Sequence, residues 1–228
     1  PKDQPRNRLG FAKWLTSPDH PLTARVMINR IWQEMFGTGL VETSDNFGLQ
    51  GSQPSHPDLL DWLARDLMNH GSDQKRAIKQ IVLSATYGQD SRASAQLRER
   101  DPANTLLARG PARRLTGEML RDSALSHSGL LAPTIGGPPA HPYQAPGSMW
   151  KDINNFLPEY KPDKGEGLYR RSLYTFWRRT TTPPNMTLFD TSTREVCSTR
   201  RMPTNTPLQA LVMLNDPQFV EAARKLGE

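Results

Sequence analysis

Six arginines in three doublets, Arg170-Arg171, Arg178-Arg179 and Arg200-Arg201, are interleaved with Tyr169, Tyr174, Phe176, Trp177 and Phe189. From Leu168 to Arg201 there are seven Arg, no Lys, and only Asp190 and Glu195 against them, so this stretch carries net +5 of the chain's +6. Arginine is a planar, always-charged donor that meets carboxylates and phosphates bidentately or stacks on rings. The stretch is therefore either an anion-facing surface, with Tyr174 and Trp177 as its aromatic members, or a set of internal clamps. Phe189-Asp190 lies between two of the basic clusters, and Asp190 is expected to pair with at least one of Arg171, Arg179, Arg200 or Arg201. A catalytic arrangement would need more: Asp190, Arg171, Arg201 and His56 converging in a cleft as base, anion clamps and acid.

Other chemistries have little to stand on. His20, His56, His70, His127 and His141 show no HExxH or HxxxH spacing and read as caps or loop residues, so no metal site is expected. There is no GxSxG elbow, no Walker loop and no GxGxxG turn. The single Cys197 excludes an internal disulfide and a thiolate cage, and without an assignable base it reads as structural. Glu118 and Asp122, helically spaced around Arg121, offer the carboxylates that buried C-terminal arginines would require.

The elements that must hold these residues read as mainly α. Val26, Ile28, Ile31, Trp32, Met35 and Phe36 make a near 3.6-residue stripe that stops at Gly37-Thr38-Gly39. Ser55-His56-Pro57-Asp58 starts a second stripe of Leu59, Leu60, Leu63 and Leu67, and Asp73 caps a third carrying Ile78, Ile81 and Val82. Asp101-Pro102 and Pro111 are expected to start two more, the latter burying Leu115, Met119, Leu120 and Leu125. Residues 8–129 thus read as a helical bundle. Residues 130–167, with seven Pro and five Gly among 38, read as an irregular connection. Residues 168–201 read as an Arg/aromatic extended segment, with strand expected over 168–180 as at most a small β element. The helix pair at 206–226 should turn Leu208, Leu211, Val212 and Leu214 inward, then Phe219, Val220, Ala223 and Leu226. All of this is expected to form a single domain over 1–228.

With 36% apolar residues and 20 Pro, the core should be modest. No run approaches a membrane span. The chain opens without Met in polar, linker-like sequence and reads as the C-terminal part of something longer. Its positive balance admits an anionic glycan or an acidic partner. Nucleic acid is disfavoured, because the sequence only hints at a continuous basic track.

The ordered motifs resemble a known family. They are Asn29-Arg30-Ile31-Trp32 through Phe36-Gly37-Thr38-Gly39-Leu40-Val41, Asp45-Asn46-Phe47-Gly48, Pro54-Ser55-His56-Pro57-Asp58-Leu59-Leu60-Asp61-Trp62-Leu63-Ala64, Arg113-Arg114-Leu115 and Glu118-Met119-Leu120-Arg121-Asp122. Gly136-Gly137-Pro138, Tyr169-Arg170-Arg171-Ser172-Leu173-Tyr174, Phe189-Asp190 and Thr204-Asn205-Thr206-Pro207-Leu208-Gln209-Ala210-Leu211 follow. In that order they resemble the planctomycete-specific domain of unknown function at the C-terminal end of large cytochrome-c-like proteins. The resemblance implies an exported, periplasmic or cell-surface address, and other domains of the same polypeptide as partners. It also implies haem in an absent upstream domain, since no CxxCH occurs here and no cofactor is expected in this fragment. The expected function is a non-catalytic interaction or scaffolding module docking a partner or an anionic polysaccharide. The alternative is an enzyme acting on such a polysaccharide.

Overall fold

The structure is a computed structural model, and it describes residues 4–144, 160–178, 182–192 and 195–228. Those residues form nine α-helices and no sheet, a mainly α fold. The chain divides into two compact units, Pro1–Arg113 and Arg114–Glu228. That boundary cuts through the bundle expected over 8–129, because the helix at 117–127 packs on the C-terminal helix and on the chain at 172–174.

In the first unit, α1 (Arg8–Leu15), α2 (Thr23–Phe36), α3 (Pro57–Asn69), α4 (Gln74–Val82) and α5 (Ala95–Arg100) follow in order. The stripes act as read: Ile28, Ile31 and Trp32 of α2 meet Leu60, Leu63 and Leu67 of α3 and Ile81 of α4 in one apolar core. Gly37 ends α2 in the left-handed region at φ 87°, where a side chain would be strained. Asn29 sits fully buried in this core, accepting from the Val41 N–H at 2.8 Å and donating to the Val41 carbonyl at 3.0 Å. It thereby supplies the polar partners that a buried loop backbone needs. The loop can come this close only because residue 39 is glycine: a Cβ there would stand 2.6 Å from the Asn29 amide.

The helix expected from Asp101-Pro102 is absent. Asp101 ends α5 instead, and its carboxylate accepts the Thr105 and Leu106 N–H groups at 2.8 Å each. An Asp side chain that mimics a backbone turn competes with helix at its own position.

The second unit holds α6 (Gly117–His127), short 3-10 turns at Gly165–Tyr169 and Ser172–Tyr174, α7 (Pro184–Thr187), α8 (Pro207–Asn215) and α9 (Pro217–Gly227). Of the strand expected over 168–180, residues 179 and 180 lie outside the described residues, and over 168–178 these turns and isolated bridges, Ala132 to Arg170 and Ala140 to Thr175, take its place. The alternation holds over 170–173, with Arg170 and Ser172 buried and Arg171 and Leu173 exposed, and it breaks at Thr175, which is buried out of phase. No ladder forms because the backbone donor of Ser172 goes to the Asp122 carboxylate of α6 at 2.8 Å, leaving no continuous run for a neighbouring strand.

Three apolar stripes in this unit turn inward only in part. α6 buries Leu125 as expected, with Gly117 and Arg121 beside it, leaves Leu120 half-buried and exposes Leu115 and Met119. α8 buries Gln209, leaves Val212 half-buried and exposes Leu208, Leu211 and Leu214. α9 buries Gln218 and Ala222, leaves Phe219 half-buried and exposes Val220, Ala223 and Leu226. Inward positions on each helix go to side chains with hydrogen bonds to make, Arg121, Gln209 and Gln218, and that is where the candidate site lies.

Candidate functional site

Thr116 caps α6, its hydroxyl accepting from the Met119 N–H at 3.3 Å, and this places Glu118, Arg121 and Asp122 on the first two turns. Arg121 is only 4% exposed. Its Nε donates to Gln218 Oε1 at 2.6 Å, one terminal nitrogen to the Arg170 carbonyl at 2.8 Å and Ser172 Oγ at 3.2 Å, and the other to the Leu168 carbonyl at 2.8 Å. A single guanidinium thus binds α6, α9 and the chain at 168–172. Burial pulls it below the ordinary arginine range, while the Asp122 and Asp216 charges push back.

Around it the acids are tuned in opposite senses. Burial pushes Asp216 above the usual carboxylate range, opposed by the Gln218 N–H at 2.9 Å, by the Asn185 amide at 3.3 Å and by Arg121. Glu118 feels burial most, which would raise it. Arg201, 2.8 Å away, and local hydrogen bonds nevertheless hold it below its usual range. Tyr160 is pushed up to about 12, chiefly by burial, and donates to the Pro142 carbonyl at 2.5 Å.

The sequence candidates fall into place around this cluster. Arg170 is buried, donates to the carbonyls of Pro138 (2.6 Å) and Gly136, and lies 4.1 Å from the centre of the Tyr174 ring. Tyr174 Oη accepts from the Gly136 N–H at 2.8 Å, so both residues hold the Gly136-Gly137-Pro138 turn. Arg171 is exposed, with Asp122 at 3.9 Å. Arg178 and Trp177 are half-buried and Arg200 is exposed. Arg179 lies outside the described residues.

Asp190 does not take the arginine partner expected of it among the described residues. Its carboxylate accepts from the Thr204 N–H at 2.6 Å and the Thr204 hydroxyl at 2.9 Å. At φ 59° it sits in the left-handed region that Asp tolerates better than most, and it ties residue 190 to residue 204. Arg114 strengthens that tie, donating to the Thr204 carbonyl, Asn205 and Gln209. His56 belongs to the first unit, where its Nδ1 lies 3.0 Å from Ser55 Oγ at the start of α3. Cys197 is exposed.

Arg121 as a buried hub, Gln209, Gln218 and the pair His141–Asp163 went unread in the sequence. In that pair Nδ1 stands 3.4 Å from Asp163, the His141 N–H donates to the Asp163 carboxylate at 2.7 Å, and the Asp163 N–H donates to the His141 carbonyl at 2.9 Å. The available signal was the glutamine within the apolar runs of α8 and at the start of α9, where a buried amide must find partners. Among the described residues no group of three or more His, Cys, Asp or Glu is arranged to hold a metal ion. No helix there is long and apolar enough to cross a membrane.

Chemically, the arrangement is a set of guanidinium staples whose donors end on backbone carbonyls and amide oxygens. Fold and site define a mainly α protein with one unit built on an apolar core and one tied by arginine. The chain belongs to the family described as PSD1, a protein of unknown function (DUF1553), whose model matches residues 7–228. No curated protein and no solved structure matches it.

Proposed function

We propose that this chain is a non-catalytic scaffolding or interaction module of an exported, cytochrome-c-like planctomycete protein. In this reading it docks a partner or an anionic polysaccharide, and haem is carried by another module of the same polypeptide. The address and the haem-bearing neighbour rest on the motif resemblance. The non-catalytic reading rests on one observation: Arg121 and Arg170 direct their terminal nitrogens to the carbonyls of Leu168, Arg170, Gly136 and Pro138. A guanidinium committed in this way shapes a surface and does not clamp a substrate anion. Among the described arginines of the three doublets, Arg171 and Arg200 face outward and are offered for docking an anion.

Heparin titration over a range of salt concentrations tests this reading. Affinity should fall as salt rises, because binding releases condensed counterions. Replacing Arg171 and Arg200 with Ala should lower the slope of log affinity against log salt by about 1 per lost contact, leaving the fold intact. Salt-insensitive binding, or release of new reducing ends from a sulfated or carboxylated polysaccharide, would overturn it.

A further inference from the structure

Residues 195–205 are exposed along their whole length and lie in neither helix nor strand. Within them, residues 200–203 make no backbone-to-backbone hydrogen bond among the described residues. An endopeptidase draws several consecutive residues into its cleft in extended form, so exposed chain free of such bonds is what it can seize. The far end of the stretch is anchored: the Thr204 N–H donates to the Asp190 carboxylate at 2.6 Å, and Arg114 donates to the Thr204 carbonyl at 3.2 Å and to Asn205 at 2.7 Å. The two arginines before that anchor are not equivalent. Arg201 is engaged by Glu118 of α6 at 2.8 Å, whereas Arg200 is exposed and the better placed to enter a protease pocket. Exposed arginines elsewhere sit on chain that is harder to extend. Arg98 and Arg100 are wound into α5, and Arg92 is tied to Asp90 through both its N–H at 2.8 Å and its Nε at 2.7 Å. Arg171 precedes Ser172, whose N–H is held by Asp122 at 2.8 Å.

We propose that the Arg200–Arg201 peptide bond is a processing site for an arginine-specific endopeptidase, one whose specificity pocket carries a carboxylate, and that the cut chain holds together as a two-piece fold. The step is hydrolysis: the C–N bond breaks, the oxygen of water joins the Arg200 carbonyl carbon as a carboxylate, and both of its protons end on the Arg201 nitrogen as an ammonium. The piece after the cut, residues 201–228, keeps its place through bonds that cleavage does not touch. Thr204 remains on Asp190, and Gln209 donates to the Leu188 carbonyl at 3.0 Å. Gln218 accepts from Arg121 at 2.6 Å, and Glu221 accepts from Tyr169 at 2.8 Å. All of these contacts lie inside the second unit. Cleavage here does not depend on anion docking, although both use Arg200.

Brief digestion of the full folded chain with an arginine-specific endopeptidase, read by mass spectrometry, tests both halves. The first internal cut should give fragments 1–200 and 201–228, which co-elute in gel filtration without denaturant and separate in urea. Arg200→Gln, with unchanged circular dichroism, should slow loss of the intact chain about tenfold or more, because Arg201 is not an equivalent substitute. Arg171→Gln should leave that rate unchanged. A first internal cut after any other arginine overturns the site, and so does an Arg200→Gln chain that is lost as fast as wild type. A 201–228 piece that elutes alone without denaturant overturns the two-piece fold.

Discussion

Arg121 illustrates how a cation can be buried without a close counter-ion. Asp122 approaches no nearer than 3.7 Å, and the hydrogen bonds go instead to two carbonyls, a hydroxyl and an amide oxygen. Lysine keeps the charge and cannot reproduce the planar fork. Arg121→Lys should therefore cost roughly 2 to 4 kcal/mol in chemical denaturation, from the acceptors left unmatched. Asp216 makes the complementary case. Its folded-state pKa is raised by burial, so the stability it contributes is present below its unfolded value near 3.9 and is lost as pH rises through the folded value. Glu118 runs the other way: held low against burial by Arg201, it contributes stability above its unfolded value that is lost as pH falls through the folded one. Asp216→Asn keeps an acceptor at the start of α9 and removes the charge. It should melt above wild type at pH 7 and level with it near pH 3. Asp216→Ala, which loses the cap, should sit about 1 kcal/mol below the Asn variant. An Asn variant that melts below wild type at pH 7 would show that the Arg121–Asp216 attraction outweighs burial.

At the scale of elements, legibility tracked whether the partner of a side chain has a sequence identity. α2, α3 and α4 could be read because their stripes pack on one another, and apolar residues recur at a period that any partner helix satisfies. Asn29 stands in the run Asn29-Arg30-Ile31-Trp32, and its role follows only from the close approach of Gly39 and Val41. Asn29→Ala should strand the Val41 N–H and carbonyl in the core and lower stability by roughly 2 to 4 kcal/mol, read by thermal or urea unfolding. In the second unit the partners are carbonyls, which every residue possesses. No pattern of residue types could announce that Arg170 would hold the Gly136 turn, or that Asp190 would accept from Thr204. The same blindness inverted α8: its leucines were read as core because the polar demand on Gln209 comes from Leu188, Thr204 and Arg114.

Taken as a whole molecule, the chain joins two units held together by different physics. The continuous apolar core lies entirely in residues of the first unit, from α2, α3, α4 and the Leu40-Val41 loop. Among its described residues the second unit buries few large apolar side chains, chiefly Leu125, Met186 and Phe189, and is crossed by long-range bonds from Arg114, Arg121 and Arg170. Apolar burial contributes roughly 25 cal/mol per Å² without directional demand, whereas each net hydrogen bond contributes about 1 kcal/mol and fails when its geometry is lost. The first unit should therefore outlast the second under denaturant. Hydrogen exchange read by mass spectrometry resolves the two. Amides of α2 and α3 should be the best protected, and those of α6 and α9 should exchange at lower urea. Arg121→Lys should speed exchange across α6, α9 and residues 168–172 while leaving α2 and α3 unchanged, and Asn29→Ala should do the reverse. If either variant instead loosens all these helices together and to the same degree, the stability of the chain is a single cooperative quantity, and the division of labour between apolar core and arginine staple fails.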